Sequence, residues 1–281
     1  MNGALVAALC GFFCYFCTSI LSGSETMRGK EKIVNNSTRS ISASAVQRLE
    51  LANGMTILVQ EVRTVPKVSV QIWYDVGSKD ELSGEKGIAH LIEHMIFKGT
   101  NTLLSESDIN AIAQKLSAHT NAFTSYDYTG YMFTLPSNQW YEILPIMKDF
   151  MLNAAFDDEM LSSEMKAVIQ EMKLGKDSYH RTVLESLLSM IFADHPYHYP
   201  IIGYKHDLWT VRGPDLKDFY ERHYAPNNAT LIVVGDVSAA DVFARAKDFF
   251  GKMAPKKNPS TCYSRCNGGY CCKDGDLISR Y

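Results

Sequence analysis

Apolar residues recur along this chain with two periods, some segments repeating every second residue and others every third or fourth. Residues 46–51 and 55–61 alternate on either side of Asn53 and Gly54, which predicts a β-hairpin turning at that pair. Residues 68–76 alternate like a half-buried strand, and 77–86 reads as a polar loop. A helix is predicted at 105–116, where Ser105 is the N-cap and Asp108 follows three residues later. Residues 118–126 and 128–135 form another pair of strands, and helices follow at 139–152, 157–176 and 181–192. A helix at 214–224, a strand at 229–234 and a helix at 239–250 close the series. Strands and helices come in runs without strict alternation. The expected class is therefore α+β, a two-layer arrangement of an antiparallel-rich sheet with helices packed on one face. No internal repeat stands out.

Both ends of the chain depart from these periods. Residues 4–21 are almost wholly apolar and uncharged, and Ser22, Gly23 and Ser24 follow, so residues 1–24 read as an export signal cleaved near Ser24. At this length the segment is also able to stay as a membrane anchor, and Arg28, Lys30 and Lys32 after it would then lie on the cytoplasmic side. The chain is thus expected to be exported or membrane-anchored. Residues 25–45 are Ser/Asn-rich and read as a flexible linker. At the other end, 256–281 carries Cys262, Cys266, Cys271 and Cys272 without apolar periodicity, and it is expected to be a disordered tail. Between these ends, 46–255 is the expected folded domain. The formal net charge of −3 shows no electrostatic footprint for nucleic acid.

One block differs from every other. From Ile88 to Phe97 a helix would be apolar all round except for a stripe made by His90, Glu93 and His94. On a 3.6-residue helix the two histidines lie about 40° apart and one turn along the axis, with Glu93 beside them. Two imidazoles so placed can converge on one zinc ion, and a neighbouring carboxylate can take a proton from a water on that metal. The order His-x-x-Glu-His is the inverzincin signature. The other histidines (His119, His180, His195, His198, His206, His223) show no ligand spacing and read as structural or exposed.

A tetrahedral catalytic zinc needs a third protein ligand and a position for water. The helix at 157–176 offers Glu164 and Glu171, two turns apart on the face marked by Leu161, Met165, Val168 and Met172. Burying two carboxylates in an apolar face is costly unless a cation compensates them. The alternative is that both border the face and reach solvent.

The run His90-Leu-Ile-Glu93-His94-Met-Ile-Phe-Lys-Gly-Thr, followed by Glu164 and Glu171, closely resembles the pitrilysin/insulinase family of zinc peptidases, which includes the mitochondrial processing peptidases. In that family the third ligand follows the second histidine by 77 residues, which here is Glu171, and a supporting glutamate seven residues earlier is Glu164. The likeness extends to Asn121-Ala122-Phe123-Thr124-Ser125 and to the stretch from Tyr224 to Asp236, so it covers about 47–255. It implies one Zn²⁺ per chain on His90, His94 and Glu171, with Glu93 as the catalytic base. It also implies a strand carrying Asn121, Ala122 and Thr124 that pairs with an extended peptide substrate. Family members pair this domain with a second of the same fold, so a second peptidase half or an oligomeric partner is expected.

Three functions follow for comparison. The first is a zinc-dependent endopeptidase acting on extended peptides. The second is a non-catalytic or partner-dependent peptide-binding subunit, favoured by the missing second half although every zinc-site residue is present. A small-molecule lyase with the same motif would need a cysteine near the metal, and none lies between Cys17 and Cys262.

Overall fold

The computed structural model describes residues 45–101, 105–257, 264–266 and 269–271. Six strands form one mixed sheet: β1 (Gln47–Glu50), β2 (Thr56–Glu61), β3 (Lys67–Tyr74), β4 (His119–Thr124), β5 (Thr129–Pro136) and β6 (Ala229–Gly235). Their spatial order is β1-β2-β6-β3-β5-β4. Every pairing is antiparallel except that of β2 with β6. The α+β, antiparallel-rich expectation holds.

The helices are α1 (Ile88–Ile96), α2 (Glu106–Lys115), α3 (Leu144–Leu152), α4 (Asp158–Lys176), α5 (Tyr179–Ile191), α6 (Lys205–Leu208), α7 (Gly213–His223) and α8 (Ala239–Phe250). The alternation in the strands decides which sheet face they cover. Val68, Val70, Ile72 and Tyr74 of β3 and Tyr131, Phe133 and Leu135 of β5 are buried with the apolar sides of α1, α3, α7 and α8. Ser69, Gln71 and Trp73 fall on the other face and stay half-buried. That second face carries an aromatic cluster, Trp73 lying 5.1 Å from Phe123 and 5.0 Å from Tyr128 between ring centroids.

Several elements differ from the reading of the pattern. The expected helix at 139–152 is a 3-10 stretch, Ser137–Ile143, followed by α3. Pro145 has no N–H to donate to the carbonyl of Tyr141, so an α-helix cannot run unbroken through it. Helix α4, Asp158–Lys176, does match the expected 157–176, and Asp157 caps its start by accepting from the N–H groups of Glu159 (2.9 Å) and Met160 (3.1 Å). The polar segment 77–86 leaves Leu82, Ser83 and Gly84 exposed but buries Ser78, Asp80, Glu81 and Lys86. Asn53 does more than turn a hairpin: its Nδ2 donates to the carbonyls of Phe250 (2.8 Å) and Met253 (3.0 Å) at the end of α8.

Ser264–Cys266 (β7) and Gly269–Cys271 (β8) pair as an antiparallel ribbon, regular structure where no periodicity announces it, because backbone pairing needs no apolar face. The export signal or anchor at 1–24, the linker up to residue 44 and most of the tail lie outside the described residues. No helix among the described residues is long and apolar enough to cross a membrane.

Candidate active site

Helix α1 buries Ile88, Ala89, Leu91, Ile92, Met95 and Ile96, which leaves the stripe of His90, Glu93 and His94 as its only polar side. Burying so much of one short helix fixes its rotation, and the two imidazoles stand 4.8 Å apart between ring centroids. Helix α4 packs beside α1 and buries Leu161, Glu164, Met165 and Val168. This side-by-side packing brings the carboxylate of Glu171 to the histidines. Its Oε2 lies 3.7 Å from His90 Nε2 and 3.8 Å from His94 Nε2.

Within the described residues, His90, His94 and Glu171 are the one group of three or more such side chains with donor atoms close enough to share an ion, all within 4.8 Å of one another. Ligands on a tetrahedral zinc with bonds of about 2.0–2.1 Å sit about 3.3–3.4 Å apart. The donor atoms here are wider spaced, 3.7 and 3.8 Å from Glu171 and all within 4.8 Å, so side-chain shifts on the order of 1 Å bring two imidazole nitrogens and one carboxylate oxygen onto one ion. The electrostatics fit as well. Burial first, then His94 and the Arg181 guanidinium, press the His90 pKa down to about 3, which keeps a nitrogen lone pair available for a metal.

Each neighbour of the cluster has a traceable partner. Glu164 accepts from His94 Nδ1 at 3.2 Å, which leaves His94 Nε2 turned to the cluster as an acceptor. The other oxygen of Glu164 pairs with Lys98 Nζ at 2.9 Å, and Lys98 pairs with Glu106 at 2.9 Å. Burial pulls the Lys98 ammonium downward, but the bonds to Glu164 and Glu106 outweigh it and its pKa is raised. Lys98 is the cation that compensates a buried Glu164 (8% exposed). Glu93 accepts a hydrogen bond from Thr124 Oγ1 at 2.6 Å. Burial raises the Glu93 pKa, and the Thr124 hydroxyl opposes the shift. Arg181 of α5 stands 4.0 Å from Glu171 Oε1 and bonds Glu185 at 3.0 Å.

Strand β4 is the sheet edge nearest the cluster. It pairs with β5, and among the described residues no strand lies on its other side. Ala122 lies opposite Tyr131 and packs on the core, while Asn121 is exposed, its Oδ1 accepting from the N–H of Ala122 at 3.0 Å. Thr124, expected on substrate, turns its hydroxyl to Glu93. Lys98, Arg181 and this Thr124–Glu93 contact escape sequence reasoning. The nearest signal was Lys98 itself, one turn after His94 in an otherwise apolar run.

A sequence profile described as Insulinase (Peptidase family M16) matches residues 56–205. The chain belongs to that family. A second profile, described as the Peptidase M16 inactive domain, matches 210–268, which takes in α7, β6 and α8 of the same sheet-and-helix unit. Among curated relatives, an uncharacterized zinc protease of Rickettsia bellii is 29% identical over 81% of this chain and 55% of its own length. The zinc protease PqqE of Helicobacter pylori is 29% identical over 74% of this chain and 47% of its length. A crystal structure of a protease from Helicobacter pylori has a TM-score of 0.69 at 27% identity, covering 76% of this chain and 52% of that one. The periplasmic protease PqqL from Escherichia coli has a TM-score of 0.71 at 25% identity, covering 81% of this chain and 25% of that one. The chain therefore spans about half the length of most of the curated relatives it matches, and its family is one of zinc proteases.

Proposed function

We propose that this chain is the metal-binding half of a zinc metalloendopeptidase that cuts extended peptides or unfolded segments. The observation that carries the reading is the convergence of His90, His94 and Glu171 with Glu93 held beside them by Thr124. One Zn²⁺ per chain would sit on the three ligands, with Glu164 orienting His94. Zinc, when bound, polarises the scissile carbonyl and acidifies a water. Glu93 accepts the proton of the attacking water and returns it to the leaving amine, a task suited to a carboxyl whose pKa burial has raised. The edge of β4, with no strand beside it among the described residues, carries Asn121, Ala122 and Thr124 and offers its backbone to a substrate strand, and main-chain pairing gives affinity without demanding a particular sequence.

The working domain in this proposal is 46–255, preceded by a signal at 1–24 and a linker. Export is supported by the neighbour described as a periplasmic protease. A mature protein beginning near Glu25 is the expected mass-spectrometric result, whereas an intact Met1 in a membrane fraction would argue for an anchor.

A second reading rests on one observation, the half-length span of the chain on its relatives. A lone half leaves the cluster and β4 open to water, and water exclusion with pre-positioned groups supplies much of a peptidase's rate. Cleavage is therefore expected only with a partner half or copy, the chain alone acting as a peptide-binding subunit. The test is a fluorogenic-peptide assay across sizing-column fractions with a chelator control. Chelator-sensitive cleavage in the monomer peak would overturn the need for a partner, and chelator-insensitive cleavage in every fraction would overturn the metallopeptidase reading.

A further inference from the structure

Helix α1 must present two imidazoles to one point, so whatever fixes its first turn also fixes the site. The start of a helix leaves backbone N–H groups without intrahelical partners, and a side chain at the N-cap position ordinarily satisfies one of them. Here the N-cap is Gly87, which has no side chain to offer. Nor is there room for one. Gly87 has φ +99°, and a Cβ there would meet the carbonyl oxygen of Ile202 at 2.6 Å. The cap has to come from elsewhere in the chain.

It comes from Glu81. One carboxylate oxygen accepts the N–H of Gly87 at 3.0 Å and the other accepts the N–H of Ala89 at 3.0 Å. The N–H of Ile88, between them, goes to the carbonyl of Glu85 at 3.0 Å. The loop that carries Glu81 is itself pinned. The buried ammonium of Lys86 donates to the Glu81 carbonyl at 2.6 Å and lies 4.5 Å over the ring of Tyr199. Gly203 packs closely against the backbone of Lys86. Burial pushes the Glu81 carboxyl upward, while the two N–H groups and the Lys86 ammonium oppose it. A buried acid is a costly cap. Its gain is that a single rigid group spans both the cap position and the residue next to His90.

We infer that Glu81 is a positioning residue for the metal site, holding the first turn of α1 so that His90 meets His94 and Glu171. This rests on the zinc reading above, and Glu81 touches neither metal nor substrate. A shift or fraying of the first turn displaces His90, which follows Ala89 directly, more than His94 one turn later. Groups that orient metal ligands by direct hydrogen bonds are typically worth about 10–100-fold in metal affinity, and Glu81, acting through the helix backbone, is expected to have an effect of that order.

The test compares E81Q and E81D with N53A, which removes bonds to the end of α8 and serves as a control for general destabilisation. Full-length protein is stripped of metal, and zinc affinity is read by chelator competition and site geometry by the cobalt absorption spectrum. Amide exchange of α1 is followed in the metal-free state. E81Q places an amide donor against a backbone N–H. It should weaken zinc 10–100-fold, alter the cobalt spectrum and speed exchange at Ala89–Leu91. E81D keeps the charge but not the reach and should fall between, which supplies the comparison if E81Q does not fold. N53A should leave zinc affinity and spectrum unchanged. Wild-type zinc affinity and spectrum in E81Q or E81D, or an equal loss in N53A, would overturn the positioning role. If the wild type itself binds no zinc, the metallopeptidase reading fails, and unchanged α1 exchange in E81Q and E81D then overturns this inference separately.

Discussion

Helices α1 and α5 both border the cluster of His90, His94 and Glu171, and they are held in opposite ways. Helix α1 buries six of its residues and is clamped at its start by Glu81. Helix α5 reaches the same cluster through Arg181, yet none of its residues is buried. It shows solvent an apolar stripe of Tyr179 (90% exposed), Val183 (65%), Leu187 and Met190 (80%). Both sequences are amphipathic, so the difference does not lie in their periodicity. It lies in the supply of neighbours: α1 is enclosed by the sheet, α4 and α7, whereas among the described residues nothing covers the stripe of α5. A catalytic group needs the first environment, because sub-ångström placement demands a locked scaffold.

The sharpest way to break this contrast is at the reacting groups. Glu93→Gln should keep zinc but lower chelator-sensitive cleavage about 10²–10⁴-fold, because an amide cannot take the proton. Leu184→Ala on α5 should change the rate far less. Equal losses from the two variants would dissolve the distinction between a locked and an open side.

Stability should divide in the same way. Leu91 is fully buried and Leu184 is half-exposed. Leu91→Ala should cost about 2–5 kcal/mol by denaturant unfolding, against about 0.5 kcal/mol or less for Leu184→Ala. A large loss at Leu184 would mean that α5 is covered in solution, for instance by a second copy.

A smaller effect sharpens the account of how α1 and α4 cooperate. Glu164→Gln leaves His94 without its anionic acceptor and Lys98 without one of its two partners, and it should weaken zinc about 10–100-fold by competition titration. Unchanged affinity would assign Glu164 to packing alone.

How much of this was legible beforehand depends on range. The stripe of His90, Glu93 and His94 is visible because three polar residues at helical spacing interrupt an apolar run. Strand alternation in β3 and β6 shows which residues face the helices. Glu171 is only ambiguous on its own helix and needs the 77-residue spacing of a resembled family to stand out from Glu164. The Thr124–Glu93 bond and the Glu164–Lys98 pair join residues far apart in the chain, and no local pattern encodes them. Glu81 was lost in a segment read as a polar loop, since polarity alone does not reveal that a carboxylate is folded onto a helix start. Nothing in the lettering of α5 announces that its apolar side lacks a cover.

The last effect concerns pH and is spread over several units. His223 of α7 is buried, with neither ring nitrogen hydrogen-bonded among the described residues. Burial first, then Arg222 and Lys79, hold its pKa at about 3. An unfolded histidine titrates near 6.5, so between about pH 6.5 and 3 the unfolded chain binds a proton that the folded one refuses. Stability of the metal-free protein should thus fall as pH drops through that window, with a contribution of up to ~1.4 kcal/mol per pH unit. His223→Leu should flatten the slope relative to wild type. Parallel curves would remove His223 from the acid response.

The most direct measurement is zinc per chain by elemental analysis, on wild type and on the variant carrying both His90→Ala and His94→Ala. A catalytic centre built where α1 meets α4 requires about one zinc in the wild type and none in the double variant. Stoichiometric zinc retained by the double variant would place the metal elsewhere, with the cysteines of the tail the first place to look, and would contradict the site.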